Sequence, residues 1–182
     1  MTVRHLDQHD LMRQQTYSKE NRELLGPDKR FHIITFGCQL NSNDSEKISG
    51  ILHESGMKQV ETAEEADLVL INTCSVRENA DDRFYGNLGM MRSLQKQKPN
   101  MMIGVCGCMM HQEHHVDKLR QSYPYVDLVF GTSDIWRLPE LLNRRLRGSR
   151  RVYDVSSVSV LARFAAESTL FIYLEAVRTG DP

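Results

Sequence analysis

Between residues 30 and 155 the sequence alternates apolar runs of strand length with stretches of helical periodicity. The runs are Phe31-His32-Ile33-Ile34-Thr35-Phe36, Leu68-Val69-Leu70-Ile71, Met101-Met102-Ile103-Gly104-Val105 and Val126-Asp127-Leu128-Val129-Phe130. A weaker run, Lys58-Gln59-Val60, follows Gly56. Strands covered on both faces read as near-continuous apolar runs, because neither face meets water.

The intervening stretches carry helix start and stop signals. Asn43 and Glu46 form a cap-like pair, Ile48, Ile51 and Leu52 share a face, and Gly56 ends the helix. Ser75 and Glu78 form a capping box, from which Val76, Ala80, Phe84, Leu88 and Met91 continue at helical spacing until Pro99. A third helix is expected from about His111 to Ser122, and a fourth from Pro139, the favoured first-turn position, to Leu146. Strand and helix in alternation imply a parallel sheet with helices on both faces. The expectation is an α/β fold with a five-stranded, flavodoxin-like parallel sheet in the order 2-1-3-4-5.

Residues 1–29 read as a polar N-terminal extension closed by Gly26-Pro27-Asp28, and 156–182 as an atypical C-terminal tail. No apolar core of signal-peptide length and no stretch of about 18 apolar residues is present, so a cytoplasmic protein without a membrane partner is expected. Lys plus Arg number 23 and Asp plus Glu 24, a net charge of −1 that argues against a surface wholly devoted to nucleic acid. Four cysteines among 182 residues are too few for a disulfide-dense secreted scaffold and enough for one metal or redox site.

Their positions carry the argument. Cys38 follows the first strand, Cys74 the third, and Cys106 and Cys108 the fourth. All strands of a parallel sheet end on one edge, and neighbouring strands lie about 4.8 Å apart. In the expected order the first, third and fourth strands are neighbours, so cysteines far apart in sequence converge beside the switch point where such sheets bind ligands. The alternative for each is a small buried hydrophobe. Each stands beside Gly, Thr or Asn, however, which favours a shared site. Cys106 and Cys108 are separated by one residue, and one of the two is expected to join it. Three thiolates with His111 or His114 suit a structural zinc; three thiolates alone suit a [4Fe-4S] cluster with one open iron. Cysteine count does not separate the two.

Three ordered motifs resemble a known family. Thr35-Phe36-Gly37-Cys38-Gln39-Leu40-Asn41 with Asp44-Ser45-Glu46 is similar to the opening motif of the methylthiotransferases, which are radical S-adenosylmethionine enzymes. Asn72-Thr73-Cys74-Ser75-Val76-Arg77-Glu78-Asn79-Ala80, followed by Arg83, resembles their second motif, and Gly104-Val105-Cys106-Gly107-Cys108-Met109 their third. Phe130-Gly131-Thr132 with Leu138-Pro139 resembles the domain's last strand and helix. The likeness spans about residues 30–153 and is strongest to the MiaB-type branch, which methylthiolates carbon 2 of N6-isopentenyladenosine beside the tRNA anticodon.

The resemblance implies a methylthiotransferase N-terminal domain at 30–155. It implies an auxiliary [4Fe-4S] cluster on Cys38, Cys74 and Cys108, with Cys106 outside the ligand set. It makes Asn41 and Arg77 candidate site-wall residues. It implies a transferase whose partner is the tRNA anticodon stem-loop. The sulfur donor is unknown, and a monomer is expected. S-adenosylmethionine and a second [4Fe-4S] cluster belong in the family to a following domain with a Cys-x3-Cys-x2-Cys motif. No cysteine follows Cys108 here, so the 182 residues read as a truncated form without the radical and RNA-binding domains, inactive in isolation. The competing readings are a non-catalytic iron–sulfur module and a zinc-binding module.

Lesser signals receive plainer readings. Arg144, Arg145, Arg147, Arg150 and Arg151 form a basic run expected to be solvated at a helix carboxyl end. Contact with RNA phosphates is its minority reading. His111, His114 and His115 are expected on a wet polar face, and Leu170-Phe171-Ile172-Tyr173-Leu174 as a strand or helical face.

Overall fold

The computed structural model describes residues 8–75 and 80–155. It shows an α/β fold built on one parallel sheet. The strands are β1 (Arg30–Thr35), β2 (Lys58–Gln59), β3 (Leu68–Thr73), β4 (Met102–Gly107), β5 (Leu128–Phe130) and β6 (Val152–Asp154). Their order is β2-β1-β3-β4-β5-β6, every pairing parallel. The helices are α1 (Gln8–Leu25), α2 (Gln39–Glu54), α3 (Ala80–Gln97), α4 (Glu113–Ser122) and α5 (Leu138–Leu146). Among the described residues no helix is long and apolar enough to cross a membrane.

The sheet has six strands, not five. β6 pairs with β5 in the register Leu128↔Val152 and Phe130↔Asp154. It is three residues long and follows a basic run, so no apolar stretch announces it. The expected order of the other five is the observed one.

Every residue of β3 and β4 is buried, as a strand with both faces covered requires. Alternate side chains serve two cores. Leu68, Leu70, Met102, Cys106, Leu128 and Phe130 join Ile48, Ile51 and Leu52 of α2 and Leu138, Leu141 and Leu142 of α5. Val69, Ile71, Ile103, Val105 and Val129 join Phe84, Leu88 and Met91 of α3 and Val116 and Leu119 of α4. Each such aliphatic side chain contributes about 1.5–3 kcal/mol on burial.

Helix boundaries differ from the expected ones in informative ways. α2 begins at Gln39, with Cys38 as its N-cap, so the capping amide is Asn41 and not Asn43. Gly56 ends it at φ +85°, its N–H donating to His53 O (2.9 Å). α4 starts at Glu113, because Cys108–His111 first makes a 3-10 turn. The Ser75–Glu78 capping box falls partly on residues 76–79, outside the described residues, as do the tail from 156 and its apolar run.

The polar N-terminal stretch forms α1 and packs on α5 through polar groups. Asn21 Nδ2 donates to Pro139 O (2.8 Å), Asn143 Nδ2 to Asn21 Oδ1 (3.0 Å), and the Glu140 N–H to Gln14 Oε1 (3.1 Å). The basic run is folded into the structure and does not simply lie in solvent. Arg145 pairs with Asp127 (2.8 Å), Arg147 with Glu20 (2.9 Å) and Arg144 with Asp154 (3.3 Å). Arg151 donates to the carbonyls of Leu119, Arg120 and Tyr123, capping the end of α4, not of α5.

Candidate functional site

Three loops leave the carboxyl edge of the sheet side by side: Phe36–Gly37–Cys38 after β1, Cys74 after β3, and Cys108 after β4. After β1 the chain crosses to β2 on one side and then to β3 on the other, so the β1/β3 boundary is the topological switch point. Cys38 and Cys74 flank it.

Two buried asparagines tie these loops together. Asn41, in the first turn of α2, is 1% exposed; Asn72, near the end of β3, is fully buried. Asn41 Nδ2 donates to Thr73 O (2.9 Å) and to Asn72 Oδ1 (3.3 Å), while its Oδ1 accepts the Cys38 N–H (3.2 Å). These contacts fix the amide's orientation, since a flipped amide would set its oxygen against two acceptors. Asn72 Nδ2 in turn donates to Asn41 O (2.8 Å) and Ser45 Oγ (2.9 Å). Thr73 Oγ1 donates to Cys106 O (2.9 Å), joining the β3 end to the β4 end.

Glycines make the close approach possible. Gly37 (φ +139°) precedes Cys38, and a Cβ there would stand 2.2 Å from Asn41 Oδ1 and 2.6 Å from Cys74 Cβ. Gly107 (φ +108°) precedes Cys108, and a Cβ there would stand 2.2 Å from Thr73 O and 2.7 Å from Asn72 Oδ1. Both φ values belong to the region that glycine alone enters cheaply. Each glycine is therefore a cradle filled by its neighbours.

The four cysteines occupy distinct environments. Cys38 is exposed, Cys108 half-buried at the start of its 3-10 turn, and Cys74 3% exposed. Cys106 is fully buried in the core beside α2 and α5. Residues two apart in a strand share a face, so its difference from Cys108 comes from the chain leaving the strand at Gly107 (φ +108°) into the 3-10 turn, not from extended alternation. Burial, with smaller contributions from Asp44 and Cys108, pushes the Cys106 thiol far above the usual range, so it stays protonated. Arg77 lies outside the described residues. Among the described residues, no three His, Cys, Asp or Glu side chains are grouped closely enough to hold a metal ion. What is brought together is the backbone of three loops, each offering a thiol at its tip. Thiols of this kind are soft donors that suit zinc or an iron–sulfur cluster.

The histidines do not complete a ligand set. His111 Nε2 shares a hydrogen bond with Thr132 Oγ1 (2.9 Å), and its ring lies against Gly131. His114 is exposed and packs on the His115 ring, with centroids 4.1 Å apart. His115 departs from the expected wet face. It is buried, its Nδ1 accepts from Tyr85 Oη (2.8 Å), and its Nε2 lies 3.7 Å from Asp81 Oδ2. Sequence reasoning singled out neither Asn72 nor the Gly37 and Gly107 cradles. The available signal was polar Asn72-Thr73 closing an otherwise apolar buried strand.

Comparison with known proteins places this geometry in a family. The chain is 43% identical over 153 residues to the tRNA-2-methylthio-N(6)-dimethylallyladenosine synthase of Acetivibrio thermocellus, covering 80% of this chain and 32% of that protein. It is 44% identical over 131 residues to the synthase of the same name from Caldicellulosiruptor saccharolyticus (72% and 28%). It is 46% identical over 127 residues to that of Clostridium perfringens (70% and 28%). The chain thus spans about a third or less of the length of the curated relatives it matches. Residues 30–131, which include all four cysteines and both asparagines, match the family described as "Uncharacterized protein family UPF0004", and the chain belongs to that family.

Proposed function

We propose that this chain is the cluster-holding part of a tRNA methylthiotransferase. Its domain at 30–155 would bind an auxiliary [4Fe-4S] cluster through Cys38, Cys74 and Cys108. The observation that carries this reading is the cross-tied set of loops, which brings three thiol-bearing tips to one sheet edge. Three thiolates on four irons leave one iron open for an exogenous sulfur species.

The chain's own residues do the remaining work proposed here. Cys38 sits at the amino end of α2 as its N-cap. Cys74 is buried and shielded from water, and Cys108 is half-buried. Cys106 keeps its proton and packs. Asn41, and Arg77 from outside the described residues, would be site-wall residues by their place in the family's motifs. The substrate is the tRNA anticodon stem-loop with N6-isopentenyladenosine, modified at carbon 2, and the protein acts as a cytoplasmic monomer. S-adenosylmethionine and a second cluster enter with a domain bearing a Cys-x3-Cys-x2-Cys motif, which these 182 residues do not contain. On this reading the isolated chain does not turn over.

Anaerobic reconstitution with iron and sulfide tests the proposal. About four irons and four sulfides per chain are expected, with loss of the cluster in Cys74→Ala. Zinc in place of iron, or a cluster indifferent to Cys74→Ala, would sink it. Methylthiolation of an isopentenylated stem-loop by the isolated chain would refute the division of labour.

A further inference from the structure

The geometry points to Asn41 and Asn72 as a positioning pair that sets the three thiol-bearing loops relative to one another. This inference rests on the cluster reading above and assigns the work of assembly to side chains that are not themselves ligands. Each loop is held by the pair through a separate contact. Cys38 is held by its N–H on Asn41 Oδ1 (3.2 Å), and this bond survives loss of the thiol proton. Cys74 is held through the preceding carbonyl, Thr73 O, which accepts from Asn41 Nδ2 (2.9 Å). Cys108 is held through Gly107, whose Cα face packs against Asn72 Oδ1 and the Thr73 backbone.

The two amides are reciprocal. Asn41 donates to Asn72 Oδ1 (3.3 Å) and Asn72 donates to Asn41 O (2.8 Å), so neither moves alone. Both are buried, and a buried amide without its partners costs about 1–3 kcal/mol. The pair therefore resists the loops drifting apart. Groups that orient metal ligands in this way typically change metal retention by about 10–100-fold when altered.

Asn41→Asp separates positioning from packing. A carboxylate of the same shape still accepts the Cys38 N–H but turns an oxygen towards Thr73 O and Asn72 Oδ1, where a donor is needed. The expected result is a folded chain, by circular dichroism, whose reconstituted cluster is lost to a chelator about tenfold or more faster than the parent's. A changed charge-transfer absorption and a changed electron paramagnetic resonance spectrum after reduction should accompany the loss. Asn72→Asp should do the same. Asn21→Ala, a buried asparagine at the α1–α5 contact, should lower the melting temperature and leave the spectrum alone.

A second measurement needs no cluster. In the metal-free chain a short thiol-bridging reagent, dibromobimane, should link Cys38 to Cys74 in the parent and much more slowly in Asn41→Asp. If Asn41→Asp fails to fold, Asn41→Ser takes its place, with the same two losses expected. Parent-like retention, spectra and bridging in the variants would overturn the positioning role. A parent chain that takes no iron but bridges faster than its variants would overturn the cluster reading and leave the positioning role standing.

Discussion

Gly107→Ala asks how much the closeness of the β3 and β4 ends depends on a missing side chain. Two costs are expected, and the structure supplies a control that separates them. Gly107 has φ +108° and Gly148 has φ +105°, so alanine is strained at either position, by at least about 1–2 kcal/mol. A Cβ at Gly148 meets nothing within 4 Å, whereas at Gly107 it meets Thr73 O at 2.2 Å, Thr73 N at 2.6 Å and Asn72 Oδ1 at 2.7 Å. Two of those atoms are backbone and the third belongs to an amide held by three hydrogen bonds, so none yields easily. The ends of β3 and β4 must part by about 1 Å, adding the usual overpacking cost of about 1–3 kcal/mol. Gly107→Ala should therefore lose about 2–5 kcal/mol against about 1–2 kcal/mol for Gly148→Ala, in urea unfolding followed by circular dichroism. For a chain of this size each kcal/mol shifts the melting temperature by about 2–4 °C. Parting the loops should also abolish cluster loading in Gly107→Ala and spare it in Gly148→Ala. Equal destabilisation in the two variants would refute the reasoning, because it would leave the close approach without energetic weight.

Cys106→Ala should keep full iron and sulfide content and cost about 1 kcal/mol, the price of one buried heavy atom; loss of iron would contradict its place in the core. His115 is held below its ordinary value of 6.5, chiefly by burial and against the pull of Asp81, while Tyr85, pushed up to about 12 by burial, remains a phenol that donates to it. Below pH 6.5 the unfolded chain takes up this proton before the folded one does, so His115 makes stability fall with falling pH until its folded value is passed, by at most about 1.4 kcal/mol per unit. His115→Gln should flatten that slope in urea midpoints measured from pH 7 to 5, and an unchanged slope would count against it. At the α1–α5 contact, Asn21→Ala should cost about 1–3 kcal/mol by removing a buried donor from Pro139 O and one of the acceptors of the Asn143 amide, which keeps Glu20. Ser18→Ala should be neutral or stabilising in the same melts, since Ser18 Oγ is buried without a partner among the described residues.

The fold was legible wherever strand identity rested on long apolar runs. β3, β4 and β5 bury all of their side chains, and burial on both faces selects the residues that reveal a strand; β1 buries only Phe31 but carries a run of the same apolar kind. β6 was not legible, because Val152–Asp154 is an edge strand whose neighbours Arg151 and Asp154 answer to ion pairs and carbonyls, not to a core. α1 was read as a polar lead-in for a related reason. Its buried side chains are Asp10, Gln14, Ser18, Asn21 and Leu25, which repeat at helical spacing, and only the last of them is hydrophobic. In the site, the cysteines stood out because a thiol after each of three strand ends is a pattern of residue type. Asn72 did not stand out, since its importance lies in what it touches on α2 and at the end of β4.

The misplaced start of α2 and the overlooked hub are one fact seen twice. Asn43-x-x-Glu46 has the form of a helix start, and local pattern alone selects it. The chain turns earlier because Asn41 can satisfy the Cys38 N–H and, with the same amide, reach Thr73 and Asn72 on the next strand. A start at Asn43 would satisfy the helix and leave two buried groups of β3 without those donors. The tertiary demand outweighs the local one because a stranded buried acceptor costs as much as a lost cap or more. It follows that Cys38 is an N-cap as a consequence of β3, not of its own helix. Any substitution that frees α2 to begin later should carry Cys38 away from Cys74.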